Sequence, residues 1–305
     1  MQTILGSNGQ IGHELAEELY KNYTQELRLV SRNPKRIHPS DQTVAANLLD
    51  YDETLAAVAG SDIVYFTAGL PMNSEMWEQQ FLVMLDNIIN ASKQAHSKLV
   101  FFDNTYMYPK NDTPQTESSP LLHEGRKSTV RAKMAERLID EIKKGDLPIV
   151  ICRAPEFYGP DNTKSITNSM IFNRIKSGKR VFIPVNDKTE RTLIWTPDAS
   201  RAMALIGNTE SAYGQTWHLP TAKGITYQEM LKISEQILGK PIKYSVIKLW
   251  MFKLGSLFNP ALKESMELLP RYRVDNVFLS DKFKTKFPEF YVTSFKAGIT
   301  QILDN

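Results

Sequence analysis

The stretch Gly6-Ser7-Asn8-Gly9-Gln10-Ile11-Gly12 constrains this chain most, because of what flanks it. Thr3-Ile4-Leu5 before it is a short apolar run of strand type. Residues 10–20 after it carry Ile11, Leu15, Ala16 and Leu19 on one face of a helix. Three glycines therefore fall on a strand-to-helix turn. Gly6 permits the tight bend, Gly9 lets a ligand approach the backbone, and Gly12 lets the helix lie close on the strand. The amides and positive dipole end of the helix then suit a paired phosphate.

The alternation continues. Residues 27–30, 44–46, 63–66, 99–102 and 149–152 read as strands, and 51–59, 74–95 and 127–144 as helices. Gly60 and Gly145 close two of these helices, and Ser74 is the expected N-cap of the long one. Near-continuous apolar strands such as Ile63-Val64-Tyr65-Phe66 and Leu99-Val100-Phe101-Phe102 suit a parallel sheet covered on both faces. After about residue 155 the pattern loosens. The expected division is a dinucleotide-binding domain of residues 1–155, with 189–220 returning to it, and a smaller lobe of residues 156–188 and 221–305.

Composition removes several function classes. Lys+Arg 37 against Asp+Glu 34 gives a net charge of +3, spread along the chain, so nucleic acid is not an expected partner. One cysteine, Cys152, excludes a disulfide framework, and five dispersed histidines show no metal-ligand spacing, so no metal is expected. No apolar run reaches the roughly 18–20 residues of a membrane span. The opening residues lack a basic region followed by an apolar one. A cytoplasmic protein with no membrane partner is the expectation.

Beyond the glycine turn, further segments fall in a familiar order. Asn47-Leu48-Leu49-Asp50, Ala68-Gly69-Leu70, Asn87, residues 102–108 (Phe-Asp-Asn-Thr-Tyr-Met-Tyr), residues 153–160 (Arg-Ala-Pro-Glu-Phe-Tyr-Gly-Pro), residues 191–204 and Trp217-His218-Leu219 succeed one another. Together with the G-x-x-G-x-x-G turn they resemble the extended short-chain dehydrogenase/reductase family, also called the NAD-dependent epimerase/dehydratase family. The resemblance runs over essentially the whole chain. It implies a Rossmann-type, doubly wound parallel α/β sheet with a smaller C-terminal substrate-binding lobe. It also implies a nicotinamide cofactor held by Gly6, Asn8, Gly9, Gln10, Ile11, Gly12, Asn47, Leu48, Ala68, Gly69 and Leu70, with Pro155 and Phe157 bordering the nicotinamide. Family members often dimerise through the pair of helices at 74–95 and 127–144, so a homodimer is expected.

The second strand ends Leu29-Val30-Ser31-Arg32-Asn33-Pro34. An NAD site usually places a carboxylate here for the ribose 2′-OH. Arg32, with the Ser31 hydroxyl, would instead hold a 2′-phosphate. NADP is therefore expected before NAD; Arg32 as a solvated surface cation is the other reading.

The implied chemistry uses a Tyr, a Lys four residues later that lowers its pKa, and a Ser or Thr. Free Tyr titrates near 10 and needs a cation beside it to act at neutral pH. Here the Ser/Thr position falls on Asn104, next to Thr105. Lys133 matches the Lys, which puts Thr129 in the Tyr place, and no tyrosine lies in residues 124–136. The expected catalytic set is Asn104, Thr105, Tyr106 and Lys133, with Lys133 also on the cofactor. Tyr106 or Tyr108, paired with Lys133 or Lys127, would substitute for the missing phenol. The alternatives are proton transfer by the substrate itself, or a dinucleotide-sensing protein with little turnover.

The substrate, a carbonyl or sugar-like molecule, is expected to meet Tyr106, Tyr158, Asn168 and Arg191. Two readings of Arg191 stand side by side, an anion contact and a structural pairing with Asp198 or Asp187. Residues 246–258, with Ile247, Leu249, Trp250, Met251, Leu254 and Phe258, are expected to pack the second lobe. A partner groove or an apolar substrate wall is the alternative.

Overall fold

A computed structural model describes residues 1–160 and 163–304. The chain divides into two units.

The first unit comprises Met1–Met107, Leu122–Ala154 and Ala199–Leu219. It contains β1 (Gln2–Leu5), α1 (Gln10–Asn22), β2 (Leu27–Ser31), β3 (Gln42–Ala45), α2 (Tyr51–Val58), β4 (Ile63–Phe66), α3 (Ser74–Gln94), β5 (Lys98–Asp103), α4 (Arg126–Lys144) and β6 (Ile149–Arg153). Strand β10 (Gln215–His218) completes a parallel seven-stranded sheet in the order β10-β6-β5-β4-β1-β2-β3. The order reverses between β1 and β4, so the loops after these two strands flank the switch point where open α/β sheets take ligands. The apolar strands are buried because helices cover them: Leu5, Val64, Phe66, Leu99, Phe101 and Ile151 pack with Leu85, Ile88, Val130, Met134 and Leu138 of α3 and α4.

The strands and helices read from the sequence are all present, with ends shifted by a residue or two. One cap differs. Asn73, not Ser74, caps α3, its side chain accepting the Met76 N–H at 2.9 Å. Ser74 is buried inside the first turn. An asparagine just ahead of the turn reaches the free amides, so the helix starts one residue earlier than a serine cap would place it.

The second unit comprises Tyr108–Leu121, Pro155–Asp198 and Pro220–Asn305. It contains β7 (Glu156–Tyr158), a π-helical turn at Asn168–Phe172, α5 (Asn173–Lys176), β8 (Val181–Pro184), β9 (Leu193–Trp195) and the start of α6 (Thr196–Gly207), which continues into the first unit. Helix α7 (Tyr227–Leu238), β11 (Tyr244–Ile247), α8 (Leu249–Ser256), α9 (Pro260–Ser265), α10 (Asp281–Lys286) and α11 (Phe295–Asp304) follow. Strand β7 pairs with β9 and β8 with β11, both in parallel. Residues 108–121 and 189–198 belong here rather than to the nucleotide domain. Gln115 bridges to Phe278, and Arg191 to Ile225 and Asn276.

Residues 246–258 do not pack inward as a whole. Phe252 is buried, but Trp250, Met251, Leu254, Leu257 and Phe258 are exposed. Among the described residues no helix is long and apolar enough to cross a membrane.

Candidate functional site

The turn after β1 is built around glycine. Gly6 has φ +96°, and a Cβ there would lie 2.5 Å from the Ala68 backbone nitrogen. A Cβ on Gly12 would lie 2.5 Å from the Gly6 carbonyl oxygen and 2.9 Å from Ser7 Cα. Gly9 is less confined, 3.3 Å from the Gly6 oxygen. The Gly6 amide donates to Val30 O, which fixes the bend to β2. Gly9 is the N-cap of α1, yet among the described residues no side chain caps the helix, and no acid lies in its first turn. The first amides, at Gln10, Ile11 and Gly12, are therefore left to another acceptor. A paired phosphate fits this cradle, and a side chain at Gly6 or Gly12 would fill it.

Asn8 ties the turn to the loop after β2. Its amide nitrogen donates to Asn33 O at 2.7 Å, and its side-chain oxygen accepts the Lys35 N–H at 3.2 Å. Ser31 is half-buried and Arg32 exposed, with Lys35 and Arg36 exposed beside it in sequence. The nearest acid downstream, Asp41, is buried and accepts the Ile37 and His38 amides. This loop presents cations where an NAD site would present a carboxylate. Lys35 and Arg36 escaped the sequence reading.

Asn87 of α3 donates to Leu48 O at 3.0 Å and holds the loop after β3. Leu48 is buried and Asn47 exposed, its amide on Glu53. Ala68, Gly69 and Leu70 follow β4 directly, with Ala68 against Gly6.

At the end of β5 a buried polar network links three elements. Asp103 takes Arg131 on one oxygen at 2.5 Å and Arg153 on the other at 2.9 Å. It also accepts the Asn104 N–H, and Asn104 in turn accepts the Tyr106 N–H. Thr105 is buried, and Tyr106 stacks on Trp77 of α3 with centroids 5.8 Å apart. Lys127, 1% exposed, donates to the Ser74 hydroxyl at 2.7 Å.

Lys133 does not join them. It is exposed on α4, whereas Lys127 and Arg131 are buried on its inward face. The helical period explains this: residue 133 lies six beyond 127 and turns away, while 131 lies four beyond and stays aligned. Thr129 shares Lys133's side. The four-residue spacing survives on the inward face as Lys127-x-x-x-Arg131, two residues earlier than the sequence match gives. Tyr108 is buried in the second unit.

The expected substrate contacts of the second unit lie in its interior. Arg191, 1% exposed, pairs with Glu156 at 2.9 Å, donates to Arg271 O and lies 3.9 Å over the Tyr272 ring. Burial works against its charge, but Glu156 outweighs that and holds the proton more tightly than usual. Its acid partner is thus neither Asp198 nor Asp187. Asn168 clasps Gly159, donating to its carbonyl at 2.7 Å and accepting its amide at 3.2 Å. Tyr158 packs between Trp195 and Phe295, and burial raises its phenol. Pro155 is buried, and Phe157 half-buried on β7.

Comparison with known proteins follows the same lines. The profile of the NAD dependent epimerase/dehydratase family matches residues 3–218. The uncharacterized protein y4nL of Sinorhizobium fredii is 25% identical over 214 residues, 67% of this chain and 59% of that protein. The chain thus matches about three fifths of that relative's length. Among solved structures, UDP-glucuronic acid 4-epimerase from Bacillus cereus in complex with NAD is similar, with TM-score 0.79 and 15% identity. That match covers 100% of this chain and 98% of the other. The UDP-glucose 4-epimerase of Thermus thermophilus, complexed with NAD, gives TM-score 0.76 and 17% identity over 100% and 98%.

Proposed function

Because the chain belongs to the NAD-dependent epimerase/dehydratase family, we propose that it is an enzyme that holds NADP(H) at the β1–α1 turn and acts on a carbonyl or sugar-like small molecule. One observation carries the reading: Gly6 and Gly12 stand where a Cβ would strike backbone. Such closeness serves a ligand whose phosphates must reach bare amides. Gly9, Gln10, Ile11 and Gly12 would receive the pyrophosphate, and Asn47 and Leu48 the adenine side. Ala68, Gly69 and Leu70 would line the other end of the cofactor. Arg32, aided by Ser31, Lys35 and Arg36, would take the 2′-phosphate. The nicotinamide supplies a hydride acceptor or donor when bound.

Asn104 and Thr105 would hydrogen-bond the substrate oxygen, and Tyr106 would carry the proton. Lys127 takes the role first given to Lys133, since it is the buried ammonium of α4. A cation near a developing alkoxide stabilises it without needing a second phenol. Arg191 is left out of this substrate site, because its guanidinium is committed to Glu156. A homodimer through α3 and α4 belongs to the same reading, and light scattering of the purified chain tests it.

The test begins with calorimetry. NADPH should bind more tightly than NADH, and Arg32→Ala should cost NADPH roughly tenfold to a hundredfold, the worth of a hydrogen bond to a charged group, while sparing NADH. A chain indifferent to every nicotinamide nucleotide would overturn the proposal. Turnover is then screened with UDP-sugars and simple carbonyls, on wild type, Tyr106→Phe and Lys127→Met. A substrate that turns over equally well in all three removes these residues from the site.

A second reading is a dinucleotide sensor with little turnover. The inward face of α4 favours it, for Lys127 and Arg131 stand there without a phenol. Cofactor binding without turnover on any of those substrates would support the sensor.

A further inference from the structure

We propose that the exposed face of α8 seats the protein on an anionic lipid surface. Trp250, Met251, Leu254, Leu257 and Phe258 are 61%, 39%, 54%, 73% and 89% exposed. At 3.6 residues per turn Trp250, Met251, Leu254 and Leu257 fall within an arc of about 120°, and Phe258 follows directly. Leu257 keeps helical backbone angles just past the end of α8, so the face continues through it. Phe252 lies on the opposite side and is buried in the core of the second unit. That anchor holds the apolar face outward.

Charge identifies the occupant. Residues 236–263 contain Lys240, Lys243, Lys248, Lys253 and Lys263 and no acid, and the bounding acids, Glu235 and Glu264, are half-buried. All five lysines are exposed. Lys248 caps α8, Lys253 borders its apolar arc, and Lys263 lies on α9, packed beside it where Leu262 approaches Gly255. An apolar helical face with a tryptophan and a margin of lysines is what an interfacial helix presents to acyl chains and acidic headgroups. Eight residues cannot span a bilayer, but they can lie in its surface. A second copy fits less well, since each would bring Lys248, Lys253 and Lys263 to the contact. This surface contact revises the sequence expectation of no membrane partner, and it is independent of the cofactor reading.

The full chain is mixed with vesicles of phosphatidylcholine, with or without phosphatidylglycerol, and floated through a density gradient. Trp250 is the one exposed tryptophan among the described residues, the other three being buried, so its emission reports insertion. The chain should float with phosphatidylglycerol vesicles, with blue-shifted emission, and stay down with phosphatidylcholine alone. Lys248→Gln with Lys253→Gln should weaken binding roughly thirtyfold, at about fivefold per cation near an acidic surface. Leu257→Ser with Phe258→Ser should abolish it while leaving thermal melting and nucleotide binding unchanged. The proposal is overturned if the chain does not float with acidic vesicles, or if the Leu257/Phe258 pair makes no difference. It is also overturned if that pair instead dissolves a dimer seen by light scattering while flotation is absent.

Discussion

Replacing Gly12 with alanine tests the phosphate cradle most directly. The new Cβ would sit 2.5 Å from the Gly6 carbonyl oxygen, 2.9 Å from Ser7 Cα and 3.0 Å from Thr67 Oγ1. Ordinary contact begins near 3.5 Å, so α1 or the turn must move by about 1 Å. Neither can yield cheaply. The Gly6 amide is held by Val30 O, and Thr67 Oγ1 donates to Leu5 O at 3.0 Å. Overpacking of this kind costs about 1–3 kcal/mol of stability. The same shift displaces the amides from a bound pyrophosphate, and losing one charge-assisted hydrogen bond costs about 1.5–3 kcal/mol, or roughly tenfold to a hundredfold in affinity. The assay is calorimetric titration with NADPH beside thermal melting, with Gly69→Ala as the companion. A Cβ on Gly69 meets nothing within 4 Å, so its melting should stay within about 0.5 kcal/mol of wild type. If Gly12→Ala binds and melts like the parent, the close approach has no functional meaning and the argument for the cradle fails.

Three other outcomes follow from the packing. Glu156→Gln should destabilise the second unit by about 3–5 kcal/mol in urea unfolding, because it strands the buried Arg191 guanidinium; a loss below about 1 kcal/mol would contradict the pairing. Glu141 is buried, and although burial alone would raise its carboxyl, Lys144, Lys93 and Arg137 bring it down to about 2. A depressed folded-state pKa stabilises above the ordinary value of 4.5 and is lost as pH falls towards 2. Glu141→Gln should therefore lower stability near neutrality by on the order of 2–3 kcal/mol and flatten the acid limb of the unfolding curve; an unchanged limb would refute the coupling. Cys152 is fully buried and its thiol pushed up by desolvation, so Ellman's reagent should label it in urea and not in the native chain.

Much of the sheet was legible because strands such as β4 and β6 are apolar runs ended by a turn residue, and the helices repeat their apolar positions at 3.6; the strand order, and with it the switch point, was not. What stayed hidden depends on partners distant in sequence or on the rotational phase of a helix. Glu156 and Arg191 meet across 35 residues, and nothing local in either segment announces the pair. On α4 a motif match favours Lys133, but burial favours Lys127, and a two-residue slip reverses the face presented. That phase is set by Val130, Met134 and Leu138 packing into the core, which carries Lys127 and Arg131 inward with them. The charged residues to examine on such a helix are those sharing the apolar phase, whatever the motif spacing says. The converse holds on α8, where apolar character by itself suggested burial. There Phe252 fills the core with Leu249 packed against it, and Trp250, Met251, Leu254, Leu257 and Phe258 are left exposed. Hydrophobicity fixes that a face must be covered, and only the neighbouring charges indicate by what.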